Sequence, residues 1–169
     1  TGSAWLLGMN GKCYRTTDST ALTGWTEISW SGLYYYGPEK FEQTGSVIIA
    51  ATYAYSNSST MRFERSTDNG ATWTSVFDVA ASVSPVLTVG RPIAIDGEFV
   101  SSTSNGEYRR IYSTASGATW TVGSNSPYNG WFSNIPQVSD GSNAVGYASD
   151  DSHGFIYSAD GVTYTSSTI

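Results

Sequence analysis

The octapeptide Ser66-Thr67-Asp68-Asn69-Gly70-Ala71-Thr72-Trp73 is the most informative stretch of this 169-residue chain. It places a carboxylate two residues after a serine, a glycine two residues further on, and an indole at its end. In a tight turn an Asp side chain accepts backbone N–H groups, Gly adopts positive φ, and a terminal aromatic ring can pack between neighbouring sheets. The octapeptide therefore predicts a turn that closes a β-hairpin, with Asp68 as a turn stabiliser rather than a catalytic acid.

The octapeptide recurs in three less regular copies along the chain. The leading hydroxyl residues, at positions 16, 66, 113 and 158, are 45 to 50 residues apart. The first copy is stretched before Trp25, the third has Ala115 where Asp is expected, and the fourth ends one residue early at Tyr164. This period fits one four-stranded β-propeller blade per repeat.

The pattern Ser-x-Asp-x-Gly-x-Thr-Trp resembles the Asp box, or BNR repeat, of the sialidase-like β-propeller superfamily, and its copies cover nearly the whole chain. The resemblance implies an all-β fold, in which blades of four antiparallel strands surround an axis. We expect one domain over 1–169, with repeats at approximately 1–30, 31–78, 79–123 and 124–169. The residues assigned to the four turns are Asp18, Trp25, Ser66, Asp68, Gly70, Trp73, Ser113, Gly117, Trp120, Ser158, Asp160 and Tyr164.

Each repeat shows strand-like runs separated by turn residues, most clearly in the third repeat, where Asp96-Gly97 is a strong hairpin signal. The predicted strands of the second to fourth repeats are 37–41, 46–53, 60–66 and 71–77, then 91–95, 98–103, 107–113 and 118–122, then 135–139, 143–149, 153–158 and 162–166. The first repeat begins with a strand at 4–9, in the position of the second strand of a blade. We therefore expect about four repeats of an incomplete propeller, which further blades or a second copy of the chain would complete.

Composition excludes several classes of partner. The chain has 8 Lys and Arg against 14 Asp and Glu, for a net charge of −6, which argues against nucleic acid as a partner. One Cys and one His cannot build a Cys/His zinc site, so we expect no metal and no cofactor. No apolar run is long enough for membrane insertion.

In a propeller, one face carries the loops that join the second strand of a blade to the third, together with the loops that join the fourth strand to the first strand of the next blade. Here these predicted loops combine aromatic residues with Asn, Ser and Gly, a set that can stack on sugar rings and bind their hydroxyl groups. The candidate ligand residues are Trp30, Tyr35, Arg91, Tyr128, Asn129 and Trp131. The sequence leaves equally open that these rings fill space between blades or contact a neighbouring subunit.

The leading hypothesis is a non-catalytic carbohydrate- or receptor-binding module of an extracellular or virion protein, such as a phage tail-like protein, with a glycan or cell-surface receptor as its partner. One alternative is a sialidase-like exoglycosidase. The resemblance implies that active members bind a substrate carboxylate with three Arg and use a Tyr nucleophile, a Glu and an Asp. The chain has six Arg, and Arg91-Pro92-Ile93 is only a permuted form of the superfamily's Arg-Ile-Pro signature, so no catalytic residue is assigned. The other alternative is a purely structural virion or surface-assembly domain.

Overall fold

The computed structural model describes residues 4–9, 11–18, 20, 23–29, 38, 40–54, 60–78, 88–89, 92–104, 109–125, 138–147, 155–159 and 165–167. The strands in these residues are β1 (Trp5–Met9), β2 (Lys12–Thr16), β3 (Thr26–Ile28), β4 (Lys40–Thr44), β5 (Val47–Ala54), β6 (Thr60–Ser66), β7 (Thr74–Asp78), β8 (Thr88–Val89), β9 (Ile93–Ile95), β10 (Glu98–Ser104), β11 (Arg109–Ser113), β12 (Trp120–Asn125), β13 (Val138–Ser139), β14 (Ala144–Tyr147), β15 (Phe155–Ser158) and β16 (Thr165–Ser167). Over these ranges there is no helix with the length and apolar character needed to cross a membrane.

The strands form four antiparallel sheets, which we call blades one to four. Blade one has the order β1-β2-β3 and blade two the order β4-β5-β6-β7. Blade three has the order β12-β11-β10, with β8 and β9 both paired to β10, and blade four has the order β13-β14-β15-β16. The predicted all-β architecture of four-stranded antiparallel blades is confirmed, and in the described residues blade one has three strands.

Two inner strands differ from the sequence prediction. β4 occupies Lys40–Thr44 rather than 37–41, because it pairs residue by residue with β5 as far as Thr44 and Val47. The turn is then Gly45-Ser46, with Gly45 at a φ of 55°. In blade three the inner strand is split into β8 and β9, which pair with opposite ends of β10. Pro92 lies in the gap, where its missing N–H removes no ladder hydrogen bond.

The Asp96-Gly97 hairpin forms as predicted. Ile95 and Glu98 are partners across it, and the two turn residues have φ values of 48° and 75°. Two successive positive φ values are the geometry of the tight turns that match the twist of paired strands. The turn therefore fixes the register of β9 against β10.

The core lies between successive blades. Between blades two and three, Phe63, Phe99 and Ile49 are fully buried in one cluster, and complete burial of such a side chain contributes roughly 1.5–3 kcal/mol. The innermost strands also meet each other. The Ala94 N–H donates to Glu42 Oε1 at 3.1 Å, which joins β9 to β4, and the Asp96 N–H donates to the Gly141 carbonyl at 2.7 Å, next to blade four. The inner strands of blades two, three and four therefore lie side by side.

Candidate functional site

The described strands define two ends of the blades. The octapeptides 66–73 and 113–120 follow β6 and β11 and form the octapeptide end. At the opposite end, which we call the loop end, β5 stops at Ala54 opposite the start of β6 at Thr60, and β14 stops at Tyr147 opposite Phe155. The predicted ligand-binding loops join strands at the loop end.

All six predicted ligand residues lie outside the described residues. They are Trp30, Tyr35, Arg91, Tyr128, Asn129 and Trp131. Their positions as ligand contacts therefore stay predictions, and the structure contributes the strand ends from which their loops depart.

An ion pair lies at the base of the loop end in blade two. Arg62 Nε donates to Asp78 Oδ2 at 3.0 Å, and these paired residues of β6 and β7 are about one-third exposed. An ion pair this exposed contributes little stability, but it fixes two strand ends in one geometry. This pair was not predicted from the sequence, although the predicted hairpin of β6 and β7 brings both residues to the same end.

The octapeptide 66–73 is held together by the Asp68 carboxylate. Oδ1 accepts from Ser66 Oγ at 2.8 Å, Ala71 N at 3.0 Å and Thr72 N at 2.9 Å, while Oδ2 accepts from Thr72 Oγ1 at 2.6 Å. Slight burial raises the pKa of Asp68, but the hydrogen bonds from Thr72, Ser66 and Ala71 outweigh it and lower this pKa to about 2. The carboxylate is thus ionised at neutral pH, which suits a turn and not a general acid.

The same octapeptide fixes an indole between two blades. Ser66 Oγ accepts from the Gly70 N–H at 2.8 Å, and Trp73 Nε1 donates to the Gly70 carbonyl at 3.0 Å. Trp73 is 8% exposed and packs with Ile48 and Ala50 of blade two, against Leu6 of blade one. Its ring therefore belongs to the core.

The third octapeptide reaches a similar arrangement without a carboxylate. With Ala115 in the Asp position, the Gly117 N–H donates to the Thr114 carbonyl at 2.8 Å, and the Ala118 N–H donates to Ser116 Oγ at 3.4 Å. Trp120 Nε1 donates to the Gly117 carbonyl at 3.0 Å, as in the second copy.

The first and fourth copies are described only in part. In the first copy, Asp18 Oδ1 accepts from Thr20 N at 2.9 Å and Thr20 Oγ1 at 2.7 Å, while Trp25 is 36% exposed. In the fourth copy, Ser158 is buried, and Asp160 and Tyr164 lie outside the described residues.

One arginine joins the second octapeptide to blade one, and another joins the third octapeptide to blade two. Arg15 of blade one donates from Nε to the Asn69 carbonyl at 2.8 Å, and Arg65 of blade two donates from Nε to the Ser116 carbonyl. Each arginine directly precedes the leading hydroxyl residue of its own copy, so the repeat contains a signal for this contact between blades, which was not predicted. A Cβ on Gly70 would lie 2.6 Å from Leu6 Cδ2, so the octapeptide also packs tightly on the preceding blade.

A groove of about 400 Å³ lies between blades one and two at the octapeptide end. Its lining residues are Arg15, Thr26, Glu27, Ile28, Ser29, Ala71, Thr72 and Trp73. The charged groups are already engaged, because Arg15 binds the Asn69 carbonyl and Glu27 Oε2 lies 2.7 Å from Lys12 Nζ. Across the described part of the chain, no group of three or more His, Cys, Asp or Glu side chains is placed to hold a metal ion.

The chain matches no protein-family model and no curated protein. Among solved structures, it is similar to "YCF48 bound to D1 peptide", with 17% identity and a TM-score of 0.58 over 99% of this chain and 52% of that chain. It is also similar to "YCF48 from Cyanidioschyzon merolae", with 16% identity and a TM-score of 0.60 over 98% of this chain and 52% of that chain. The chain spans about half the length of both structures. The likeness therefore concerns fold, and the fold of this chain is that of a β-propeller.

Proposed function

We propose that this chain is a non-catalytic binding module, in which propeller blades present aromatic loops to a glycan or other receptor on the outside of a cell or virion. The observation that carries the proposal is the use of the octapeptide end for packing. Asp68 is engaged within its turn, and Arg15 and Arg65 join successive blades. This leaves the loop end as the better place for a ligand.

The chemistry of the loop end supports a carbohydrate. Tyr128, Asn129 and Trp131 follow one another in a single segment that also contains Pro127 and Gly130. Aromatic faces bury the apolar surface of a sugar ring, while amide groups bind its hydroxyls. Together with Trp30 and the other predicted loop aromatics, this segment supplies the residue types that such a site needs.

The contacts of the arginine side chains support the absence of catalysis. Three of the six Arg residues have structural contacts: Arg15 and Arg65 bind backbone carbonyls, and Arg62 pairs with Asp78. A site that grips a substrate carboxylate with three arginines would need the remaining three to converge. Turnover of a fluorogenic sialoside by the purified chain, abolished by Arg91→Ala, would contradict this part of the proposal.

A glycan array with matched variants tests the proposed ligand. We expect reproducible binding to one glycan family, and we expect Trp131→Ala and Trp30→Ala to weaken it by about 10-fold or more, as for aromatic residues at binding hot spots. Thr74→Ala is the control, because Thr74 is exposed at the start of β7, at the octapeptide end. Equal affinity of all three variants and the unmodified chain would contradict the assignment of the loop end.

A peptide ligand is the second candidate. A solved structure to which this chain is similar in fold is a propeller bound to a peptide. Extended peptides on the same array format, with the same three variants, separate the two candidates. Peptide binding that requires Trp131, together with a blank glycan array, would replace the glycan and keep the loop end as the site.

A further inference from the structure

Blade one exposes an apolar face that points away from blade two. Leu6 packs towards blade two, so its neighbours along β1 point to the opposite side. On that side Trp5 is 53% exposed, Leu7 45% and Met9 50%.

Trp25 directly precedes β3 and belongs to the same face. Its neighbour Thr26 pairs with Arg15, and Arg15 pairs with Leu6 on the side facing blade two. Trp25 therefore points to the opposite side. We call Trp5, Leu7, Met9 and Trp25 the blade-one back face.

Blade four exposes an apolar face that points away from blade three. Ala144 packs against blade three, so Val145 points away from it. Val145 is 45% exposed, and its pairing partner Tyr157 is 48% exposed. We call Val145 and Tyr157 the blade-four front face.

The repeat identifies what covers such faces within the chain. Residues that pair with the position just before each leading hydroxyl residue are equivalent, which makes Leu6, Ile49, Val100 and Val145 one set. Ile49 is 0% exposed and Val100 is 1% exposed, because the next blade covers them, whereas Val145 remains 45% exposed.

The contact between blades one and two also shows the partner residues. There Leu6 packs against Ile48, Ala50 and Trp73 of the back face of blade two. By the same register, Trp5 is the equivalent of Ile48, and Leu7 is the equivalent of Ala50. Trp25 ends the first octapeptide as Trp73 ends the second. The blade-one back face thus presents the residue set that a front face such as Val145 packs against.

We propose that a second copy of this chain covers both faces. The blade-four front face of each copy packs on the blade-one back face of the other, and two identical contacts close one ring. The length supports two copies, since the chain spans 52% of each of the two propellers to which it is similar. Charge is compatible with burial, because on the back face Lys12 and Glu27 are paired at 2.7 Å, and the front face defined above carries no charged group.

The solution mass of the 169-residue chain, measured by light scattering over a concentration series, tests the ring. We expect twice the mass of one chain. Leu7→Lys and Val145→Glu each place unpaired charges in both contacts of a ring, so each should raise the dimer dissociation constant by about 100-fold or more. Ser46→Glu, at an exposed turn position of blade two, is the matched control and should leave the mass unchanged.

Mixing the two charged variants is the most specific test of the two contacts. A mixed ring has one unmodified contact and one contact in which Lys faces Glu, so the mixture should form dimers that neither variant forms alone. Near-UV circular dichroism monitors folding. If either charged variant fails to fold, the single variants Leu7→Gln and Val145→Thr replace the charged variants in the mass measurement.

Two results would overturn the proposal. A chain that stays monomeric at its highest soluble concentration would show that other blades, or a different protein, cover the two faces. A dimer that Leu7→Lys dissociates and Val145→Glu leaves intact would show that the copies meet back face to back face. Neither result bears on ligand binding at the loop end, which the array tests separately.

Discussion

Substitution of Gly117 by alanine tests the packing of successive blades most directly. Gly117 has a φ of +65°, and a Cβ there would lie 2.8 Å from Cδ1 of Ile49 and 3.3 Å from Cγ1 of Val47, both in blade two. The left-handed backbone costs an alanine about 1 kcal/mol. Because Ile49 is fully buried, its side chain cannot move aside freely, and overpacking adds about 2 kcal/mol. We therefore expect Gly117→Ala to lower the free energy of unfolding by about 3 kcal/mol.

Gly97→Ala is the matched control for the backbone contribution. Gly97 has a similar φ of +75°, and nothing lies within 4 Å of its Cβ position. This variant should lose only about 1 kcal/mol. The difference between the two variants measures the contact between blades two and three.

Ile49→Val isolates the atom responsible, since valine lacks the Cδ1 atom that Gly117→Ala would meet. Alone, Ile49→Val should cost about 1 kcal/mol. Combined with Gly117→Ala, it should recover about 1–2 kcal/mol relative to the sum of the single effects. Urea unfolding followed by tryptophan fluorescence gives the free energy of unfolding of the unmodified chain, the three single variants and the double variant. Equal losses for Gly117→Ala and Gly97→Ala, or strict additivity with Ile49→Val, would refute the reasoning.

Three further predictions concern the turns and the buried thiol. The pKa of Asp68 lies at about 2 in the folded chain, below its ordinary 3.8, so its contribution is complete above about pH 4 and is lost as the pH falls towards 2. Asp68→Asn should therefore lower the free energy of unfolding at pH 7 by about 1 kcal/mol, after allowance for solvent screening, and flatten its decline below pH 4 in urea titrations. Ala115→Asp should raise the melting temperature by supplying the carboxylate that the third copy lacks, and a decrease would contradict the equivalence of the two turns. Burial raises the pKa of Cys13 to about 11, so a thiol reagent at pH 8 should label it in urea and leave it unlabelled in the folded chain.

Much of the blade architecture was predictable because it depends on local chemistry. Asp96-Gly97 specifies a two-residue turn by itself, since both residues tolerate positive φ. The sequence predicts the first strand of blade two at 37–41, three residues before its observed position, and the polar residues Glu42 and Gln43 belong to the observed strand. In the folded chain Glu42 lies at an inner strand, where its carboxylate accepts from the Ala94 N–H at 3.1 Å. That partner is 52 residues away, so no local pattern could assign it.

Contacts between blades were not predictable from one copy of the repeat. The bond from Arg65 to the Ser116 carbonyl depends on the angle between two sheets, and the chain separation of 51 residues hides it from local reasoning. The repeat itself did contain a signal, because Arg15 and Arg65 occupy the same position in successive copies. The proposed ligand loops carry no such periodic signal, so their residue types indicate a class of ligand and no contact geometry.

The third copy separates two roles that the second copy combines. In the second copy, one carboxylate organises the turn while Gly70 and Trp73 pack between blades; in the third, Ala115 removes the carboxylate, and Gly117 and Trp120 keep their positions. Trp120 lies 4.5 Å from the ring of Phe63 in blade two and still donates to the Gly117 carbonyl. The blades keep their packing when the carboxylate is absent. Contact between blades is therefore a stricter requirement on this octapeptide than the carboxylate that organises its turn. The glycine and the indole are therefore better markers of a blade in this chain than the aspartate.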